Sequence, residues 1–501
     1  MPQCGLVDSP SFESAEAARG GLYLWLCGAL VMYAAVLLLY SQTWAFVWDE
    51  SYHMLAAQLM SRGRKPYIDF CFPQSPLNAY WNMGLMRIFG EGWRVPHAFA
   101  ALFTIGAVAL TADYVFIRLP FPSWRFGAAL TAGLAVGLNP LVFIYGPVGQ
   151  AYGVCLFTLV AAFRICVRAV DRSGAIRPIA AGLLAGVAAS SSLLTVAAAP
   201  VMLIWMFFYN RAGRRWTKVL AFGIGTVIPF APVFALFLQG PRQTWFNLFR
   251  YHASFRKLYW PETTKHDFEV LTSWLDSGQG LVLGLLAVFG LVYVARRSNW
   301  PRALKAEFYL CAWLASALSV EVGRAHPTFE RYFLLVVPFL AILAVVGLYA
   351  VGSRVLEPGR PLWPVVLVLM VVVLGWGKAL SERDGANNWS FYQRLADKAD
   401  QVTPRDALLY ANEPIYFLTR RTPPPGLELS YTHKIVLPPA EAAMLHILND
   451  ADLKKQLESG MYATAYSCDD DEVDNFGLKK LYQQRVSIDE CTVFWDWKKL
   501  P

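Results

Sequence analysis

Charge is what this sequence has least of. Only 16% of its 501 residues are Asp, Glu, Lys or Arg, against 56% hydrophobic. A soluble chain could not cover so much apolar material with so little polar surface. Metal and redox motifs are missing as well: the eight cysteines form no Cys-x-x-Cys pair and no His/Cys group at ligand spacing. Cys27, Cys155, Cys166 and Cys311 fall in or beside apolar blocks and read as buried fillers. Charge is scarcest at the centres of those blocks, since Asp113, Arg164, Glu307, Glu321 and Lys378 all lie near block ends. Secondary transporters usually keep ionisable groups or broken helices at mid-membrane. Their absence counts against transport.

What the chain does have is apolar length. A helix needs about 20 apolar residues to cross a bilayer, and Leu22–Tyr40, Leu281–Ala295, Tyr332–Val351 and Leu362–Gly377 are four such runs. The pattern predicts a polytopic α-helical membrane protein with about eleven spans. They are expected near 22–42, 94–117, 126–144, 148–167, 178–192, 194–209, 217–238, 280–295, 306–321, 331–351 and 362–378. The first lacks a cleavage site and reads as an uncleaved helix. Basic residues cluster in every second gap, as in Arg164, Arg168, Arg172 and Arg177, then Arg211, Arg214, Arg215 and Lys218, and finally Arg354 and Arg360. The positive-inside rule makes those gaps cytoplasmic. The net charge of +8 is therefore a topology signal for an inner membrane, and no nucleic-acid partner is expected.

This topology divides the chain into a cytoplasmic tail (1–21), a membrane domain (22–380) with outer loops at 43–93 and 240–279, and an extracytoplasmic domain (381–501). Within 43–93, interfacial helices are expected at 50–62 and 76–89. In the second loop Trp245, Leu248, Phe249, His252 and Phe255 recur at the spacing of an amphipathic helix. The final segment has the composition of a small α/β domain, with helices at 389–400 and 438–457 and strands at Ala407–Ala411, Tyr462–Ser467 and Thr492–Trp497. Its Cys468 and Cys491 would sit in an oxidising compartment, where paired and free thiols are both open. Asp469-Asp470-Asp471-Glu472 lacks the spacing of a calcium loop and reads as a solvated turn.

The candidate chemistry begins directly after the first span, at Trp48-Asp49-Glu50-Ser51-Tyr52. Adjacent carboxylates near a bilayer surface are costly unless paired or used. The plainest role for Asp49 is to cap the helix starting at Glu50. Then come Gly63-Arg64-Lys65-Pro66-Tyr67-Ile68-Asp69-Phe70 and Pro73-Gln74-Ser75-Pro76-Leu77-Asn78. Further on are Arg324-Ala325-His326-Pro327, Glu330-Arg331-Tyr332-Phe333 and, in the tail, Asn412-Glu413-Pro414-Ile415-Tyr416.

This series resembles the GT-C glycosyltransferases, specifically the branch containing dolichyl-phosphate-mannose protein mannosyltransferases and bacterial aminoarabinose transferases. The resemblance implies inverting transfer of a hexosyl or pentosyl unit from a polyprenyl-phosphate donor. The acceptor would be a hydroxyl of a glycan, lipid or protein outside the membrane. By position, Asp49 matches the catalytic aspartate and Glu50 its orienting neighbour. Arg324 and Arg331, with His326, would hold the donor phosphate through charge-assisted hydrogen bonds. Their plainer role is membrane anchoring or pairing with Glu321 or Glu330. Asp69, Arg64, Lys65 and Gln74 are accessory candidates, Gln74 standing where many relatives carry lysine. A turn-stabilising role for Asp69 and a solvated face for Arg64 and Lys65 compete with these assignments. No metal ligands are identified, and the superfamily has both metal-dependent and metal-independent members, so a divalent cofactor stays open. A lipid-linked-sugar transporter or a non-catalytic scaffold on the same architecture is the competing reading.

Overall fold

The computed structural model describes residues 12–120, 124–260, 262–355, 362–381 and 388–498. Of the segments read as cytoplasmic, residues 1–11 and Arg360 lie outside these. In chain order the membrane part contains α1 (Phe12–Thr43), α2 (Glu50–Ser61), α3 (Leu77–Phe89), α4 (Arg94–Arg118), α5 (Arg125–Gly137), α6 (Pro140–Tyr145) and α7 (Tyr152–Ala169). There follow α8 (Ile176–Ser191), α9 (Ala198–Tyr209), α10 (Arg215–Val227), α11 (Ala231–Gln239), α12 (Pro241–Trp245), α13 (Thr263–Asp276), α14 (Gly278–Arg296), α15 (Arg302–Gly323), α16 (Val337–Val355) and α17 (Trp363–Ser381). Among the described residues, 7 helical stretches are long and apolar enough to cross a membrane, and Ile176–Ser191, Leu193–Tyr209 and Val337–Gly352 are shorter apolar helices.

The expected third span is broken rather than continuous. Pro140 cannot donate a backbone bond within a helix, so α5 ends and α6 restarts with the Asn139 side chain accepting from Leu141 N–H (3.0 Å). The segment expected as the second outer loop also departs from one amphipathic α-helix. After α12 the chain winds as a π-helix over Phe246–Phe255, then a 3-10 turn over Arg256–Tyr259. Single π segments of this kind are frequent at functional sites.

Small residues let the bundle close. A Cβ on Gly347 of α16 would lie 1.9 Å from the Leu286 carbonyl oxygen of α14, and one on Gly290 would lie 2.0 Å from the Leu343 carbonyl oxygen. Without a hydrophobic drive between helices in lipid, such close backbone approach is a main source of packing energy. Gly347→Ala is expected to destabilise the protein by about 1–3 kcal/mol through overpacking against backbone. Thermal unfolding in detergent checks this against Gly377→Ala, where a Cβ meets nothing within 4 Å.

Charged side chains near the span ends are paired. Glu307 meets Arg118 and accepts from Tyr114 Oη (3.0 Å), and Arg164 donates to Asp113 (2.6 Å).

The C-terminal part comprises α18 (Trp389–Val402), β1 (Leu408–Tyr410), α19 (Glu413–Thr419), α20 (Pro439–Leu445), α21 (Asp450–Glu458), β2 (Tyr462–Ser467), α22 (Asp470–Asn475), α23 (Leu478–Leu481), β3 (Tyr482–Ile488) and β4 (Cys491–Trp497). The sheet order is β1-β2-β4-β3, with β1 parallel to β2 and the other pairs antiparallel. Cys468 and Cys491 are joined as a disulfide. The acidic run is not a turn: Asp469 caps α22 by accepting from Asp471 N–H (2.9 Å).

This part shares one apolar core with the segment that follows α1. Helix α2 is buried at every position but Ser61, so it is not a free interfacial helix. Its Leu55 and Leu59 belong to the same core as Ile415 and Tyr416. Gln58 Nε2 donates to the Phe417 carbonyl (3.0 Å), and Arg64 pairs with Glu428 (2.7 Å). Asp49, at the head of α2, is thereby fixed between membrane bundle and C-terminal domain.

Candidate active site

Asp49 does not spend its carboxylate on the helix it precedes. It occupies the cap position of α2 without a side-chain cap bond. Instead Oδ2 pairs with the Arg331 guanidinium, and Oδ1 accepts from Tyr431 Oη (3.4 Å). One partner comes from the 3-10 turn Glu330–Leu335 ahead of α16, the other from the C-terminal domain. The capping role expected from sequence is absent.

Glu50 points the other way and is fully buried. Its Oε1 accepts from Gly149 N–H (2.9 Å) and meets His97 Nε2, while His97 Nδ1 faces the Ser41 carbonyl oxygen (2.7 Å). Asn78 and Asn82 donate to the Gly149 carbonyl (3.1 and 2.7 Å). Glu50 therefore pins the turn entering α7 from behind the site. Glu50→Ala would leave the Gly149 N–H and His97 buried without their partner. Breaking a buried pair on one side costs about 3–5 kcal/mol, so a lowered unfolding temperature in detergent is the expected readout.

Asp49 lines a cavity of about 480 Å³ together with His53, Gln74, Gln150, Tyr152, Ser191, Arg256, Lys257, Glu321, Arg324 and His326. Glu321 and Arg324 also line a second, apolar groove of about 780 Å³ between α9 and α15, walled by Val201, Ile204, Trp313 and Val320. Cavity and groove meet at these two side chains. Arg324 is exposed there and makes no ion pair among the described residues. His326 reaches Asp267 through Nδ1 (2.6 Å), and Asp267 also accepts from Thr328 N–H (2.7 Å), fixing the loop at the mouth.

The structure separates the residues that the sequence grouped. Arg331 is off the cavity wall and clamps Asp49. Arg324 and His326 reach the wall, as does Gln74. Arg64, Lys65 and Asp69 do not: Arg64 is tied to Glu428, Lys65 Nζ donates to Gln239 Oε1 (2.7 Å), and Asp69 accepts from Lys65 N–H (2.6 Å) in a local turn. Asp69 thus has the turn-stabilising role of its plainer reading and Lys65 lies on an exposed face, whereas Arg64 is paired with a buried carboxylate rather than solvated.

Sequence inspection missed Arg256, Lys257, Gln150, Ser191, His53 and Tyr431. Arg256 donates to Tyr332 Oη (2.5 Å) and, with Lys257, adds positive charge to the wall. Burial holds the His252 imidazole down to about 4, with Arg256 adding to the effect, and burial holds His53 down to about 4 despite nearby Asp49. Both rings are neutral at physiological pH. No group of three or more His, Cys, Asp or Glu among the described residues could hold a metal ion. The partners of Asp49 are a cation and a phenol, so a divalent ion would meet one carboxylate already in use. These residues do not fit a resident metal.

A bundle of helices long and apolar enough to cross a membrane, with a small sheet domain packed over one carboxylate, defines a multi-pass membrane architecture. Two crystal structures of ArnT from Cupriavidus metallidurans share that fold. The apo form matches with a TM-score of 0.65, 16% identity, and coverage of 95% of this chain and 98% of that one. The form bound to undecaprenyl phosphate matches with 0.63, 16%, 94% and 97%. Neither a protein-family model nor a curated protein matches the sequence.

Proposed function

We propose that this protein is an inverting glycosyltransferase that uses a polyprenyl-phosphate sugar and acts outside the cytoplasmic membrane. The observation that carries the reading is the placement of Asp49. Its carboxylate is held by Arg331 and Tyr431 on the wall of a cavity that opens, past Glu321 and Arg324, into an apolar membrane groove. A lipid phosphate fits this junction, with the isoprenoid chain along α9 and α15 and the phosphate against Arg324. Arg256 and Lys257 extend the positive field. That ArnT, a chain of the same fold, binds undecaprenyl phosphate supports this choice of carrier.

In the proposed reaction an acceptor hydroxyl attacks the anomeric carbon from the face opposite the phosphate. The hydroxyl proton passes to Asp49, a carboxylate that can serve as general base. The bond from the anomeric carbon to the phosphate oxygen breaks, and the electron pair leaves with the polyprenyl phosphate. Arg324 neutralises the charge that develops there. Glu50 takes no proton in this scheme, being walled off behind Gly149.

Lipid extracts from cells lacking the protein test the reading. A polyprenyl-linked sugar is expected to accumulate and to disappear on complementation. An unchanged lipid pool with an unchanged set of surface glycans would sink it.

A further inference from the structure

Glu413, at the head of α19, is fully buried and directs one oxygen at a single residue. Its Oε1 accepts from Ser430 N–H (2.7 Å) and from Ser430 Oγ (2.9 Å). The membrane part holds the same residue through Tyr259. Tyr259 Oη donates to the Ser430 carbonyl (2.8 Å) and accepts from Lys434 N–H (2.9 Å), and Lys434 Nζ lies 4.7 Å from the centre of the Tyr259 ring. The 3-10 turn Ser430–Thr432 is therefore clasped between α19 and the turn Arg256–Tyr259. That second turn also presents Arg256 and Lys257 to the cavity.

Tyr431 is the middle residue of the clasped turn. Its ring meets the Tyr259 ring edge-on, with centres 5.5 Å apart, and its hydroxyl donates to Asp49 Oδ1 (3.4 Å). The bond is long for O–H···O, as catalytic hydrogen bonds often are before substrate arrives. Burial, with the Asp49 carboxylate adding to it, pushes the Tyr431 phenol well above its usual range, so it stays a protonated donor. Tyr431 does not line the cavity, so contact with substrate is not its task. Arg331 holds the other carboxylate oxygen. Two anchors, one per oxygen, set the plane of a carboxylate, whereas one leaves it free to pivot.

Resting on the glycosyltransferase reading, we propose that Tyr431 is a positioning residue for Asp49 and that Tyr259 positions Tyr431. The C-terminal domain then serves the transfer of the acceptor's proton, not the binding of the carrier. A base that is misaimed loses rate even when the cavity around it is unchanged.

Membranes from cells lacking the protein supply donor and acceptor together, and each full-length variant is added back in detergent. Loss of polyprenyl-linked sugar over a range of membrane amounts separates kcat from KM, and bare undecaprenyl phosphate is the probe of carrier binding. Tyr431→Phe keeps the ring against Tyr259 and removes only the hydroxyl. Its kcat should fall about tenfold, near one hydrogen bond to a charged group. KM and affinity for the bare lipid should stay within about twofold, the pattern of an interaction used only in the transition state. The unfolding temperature should hold. Tyr259→Phe, which touches neither Asp49 nor the cavity, should lower kcat about three- to tenfold in the same pattern. The double variant should be within about twofold of Tyr431→Phe alone, because the clasp has no hydroxyl left to aim. Wild-type kcat in Tyr431→Phe would overturn the proposal and leave the glycosyltransferase reading standing. So would a lipid affinity that falls as far as kcat, or a double variant whose losses multiply. Wild type that consumes no polyprenyl-linked sugar would overturn both.

Discussion

Asp49→Asn is expected to abolish glycosyl transfer while the protein still folds, inserts and binds its carrier lipid. A general base contributes about 10²–10⁴-fold to rate, and asparagine cannot take the acceptor's proton. The fold should tolerate the change because the Asp49 side chain makes no cap bond to α2, so no helix start depends on it. Asparagine keeps an oxygen that can accept from Arg331, which limits the cost at a pair only partly shielded from solvent (side chains 18% and 21% exposed). Three measurements separate chemistry from folding: turnover of polyprenyl-phosphate sugar by purified enzyme, unfolding temperature, and binding of undecaprenyl phosphate. Turnover should fall at least about a thousandfold with the other two held. Wild-type turnover in this variant would remove Asp49 from the reaction and leave the scaffold reading in its place.

Much of this site can be read from the sequence because its central group is an exception to the local pattern. A pair of carboxylates next to a membrane span stands out in a chain so poor in charge, and hydropathy alone places the helices around it. What stays hidden depends on direction. Arg324 and Arg331 are seven residues apart in one short loop, and sequence supplies no reason to send one to the cavity mouth and the other onto Asp49. The π-helix over Phe246–Phe255 carries apolar residues at spacings that also suit an α-helix, so the pattern cannot distinguish the two. Gln150 and Ser191 are ordinary loop and helix-end residues until the fold brings them to the cavity wall. Strand β3 reads Tyr-Gln-Gln-Arg-Val-Ser-Ile and lies at a sheet edge with its polar side chains exposed, so it lacks the alternation that identified β2 and β4. The break at Asn139–Pro140 could have been foreseen, because proline inside an apolar run ends a helix whatever the hydropathy.

The division of labour between the two arginines gives the second large expected effect. Arg331→Gln should lower turnover at least about a hundredfold, near the low end of what a well-placed base supplies, with carrier affinity almost unchanged. Arg331 touches Asp49 rather than the cavity, so its loss frees the carboxylate to rotate and removes the group that keeps it aimed. Arg324→Gln should do the reverse to binding. A charge-assisted hydrogen bond to phosphate contributes about 1.5–3 kcal/mol, so affinity for undecaprenyl phosphate should weaken by roughly 10- to 100-fold. The pair also makes a prediction for combined changes. Asp49→Asn with Arg331→Gln should be hardly worse than Asp49→Asn alone, because the clamp has no carboxylate left to hold, whereas Arg324→Gln should still weaken lipid binding in the Asp49→Asn background. Measured affinities and single-turnover rates for wild type and these five variants resolve this directly. If Arg331→Gln weakened carrier binding as strongly as Arg324→Gln did, while Asp49→Asn and Arg331→Gln lowered turnover independently, the ion pair would be incidental. Both arginines would then belong to the phosphate site.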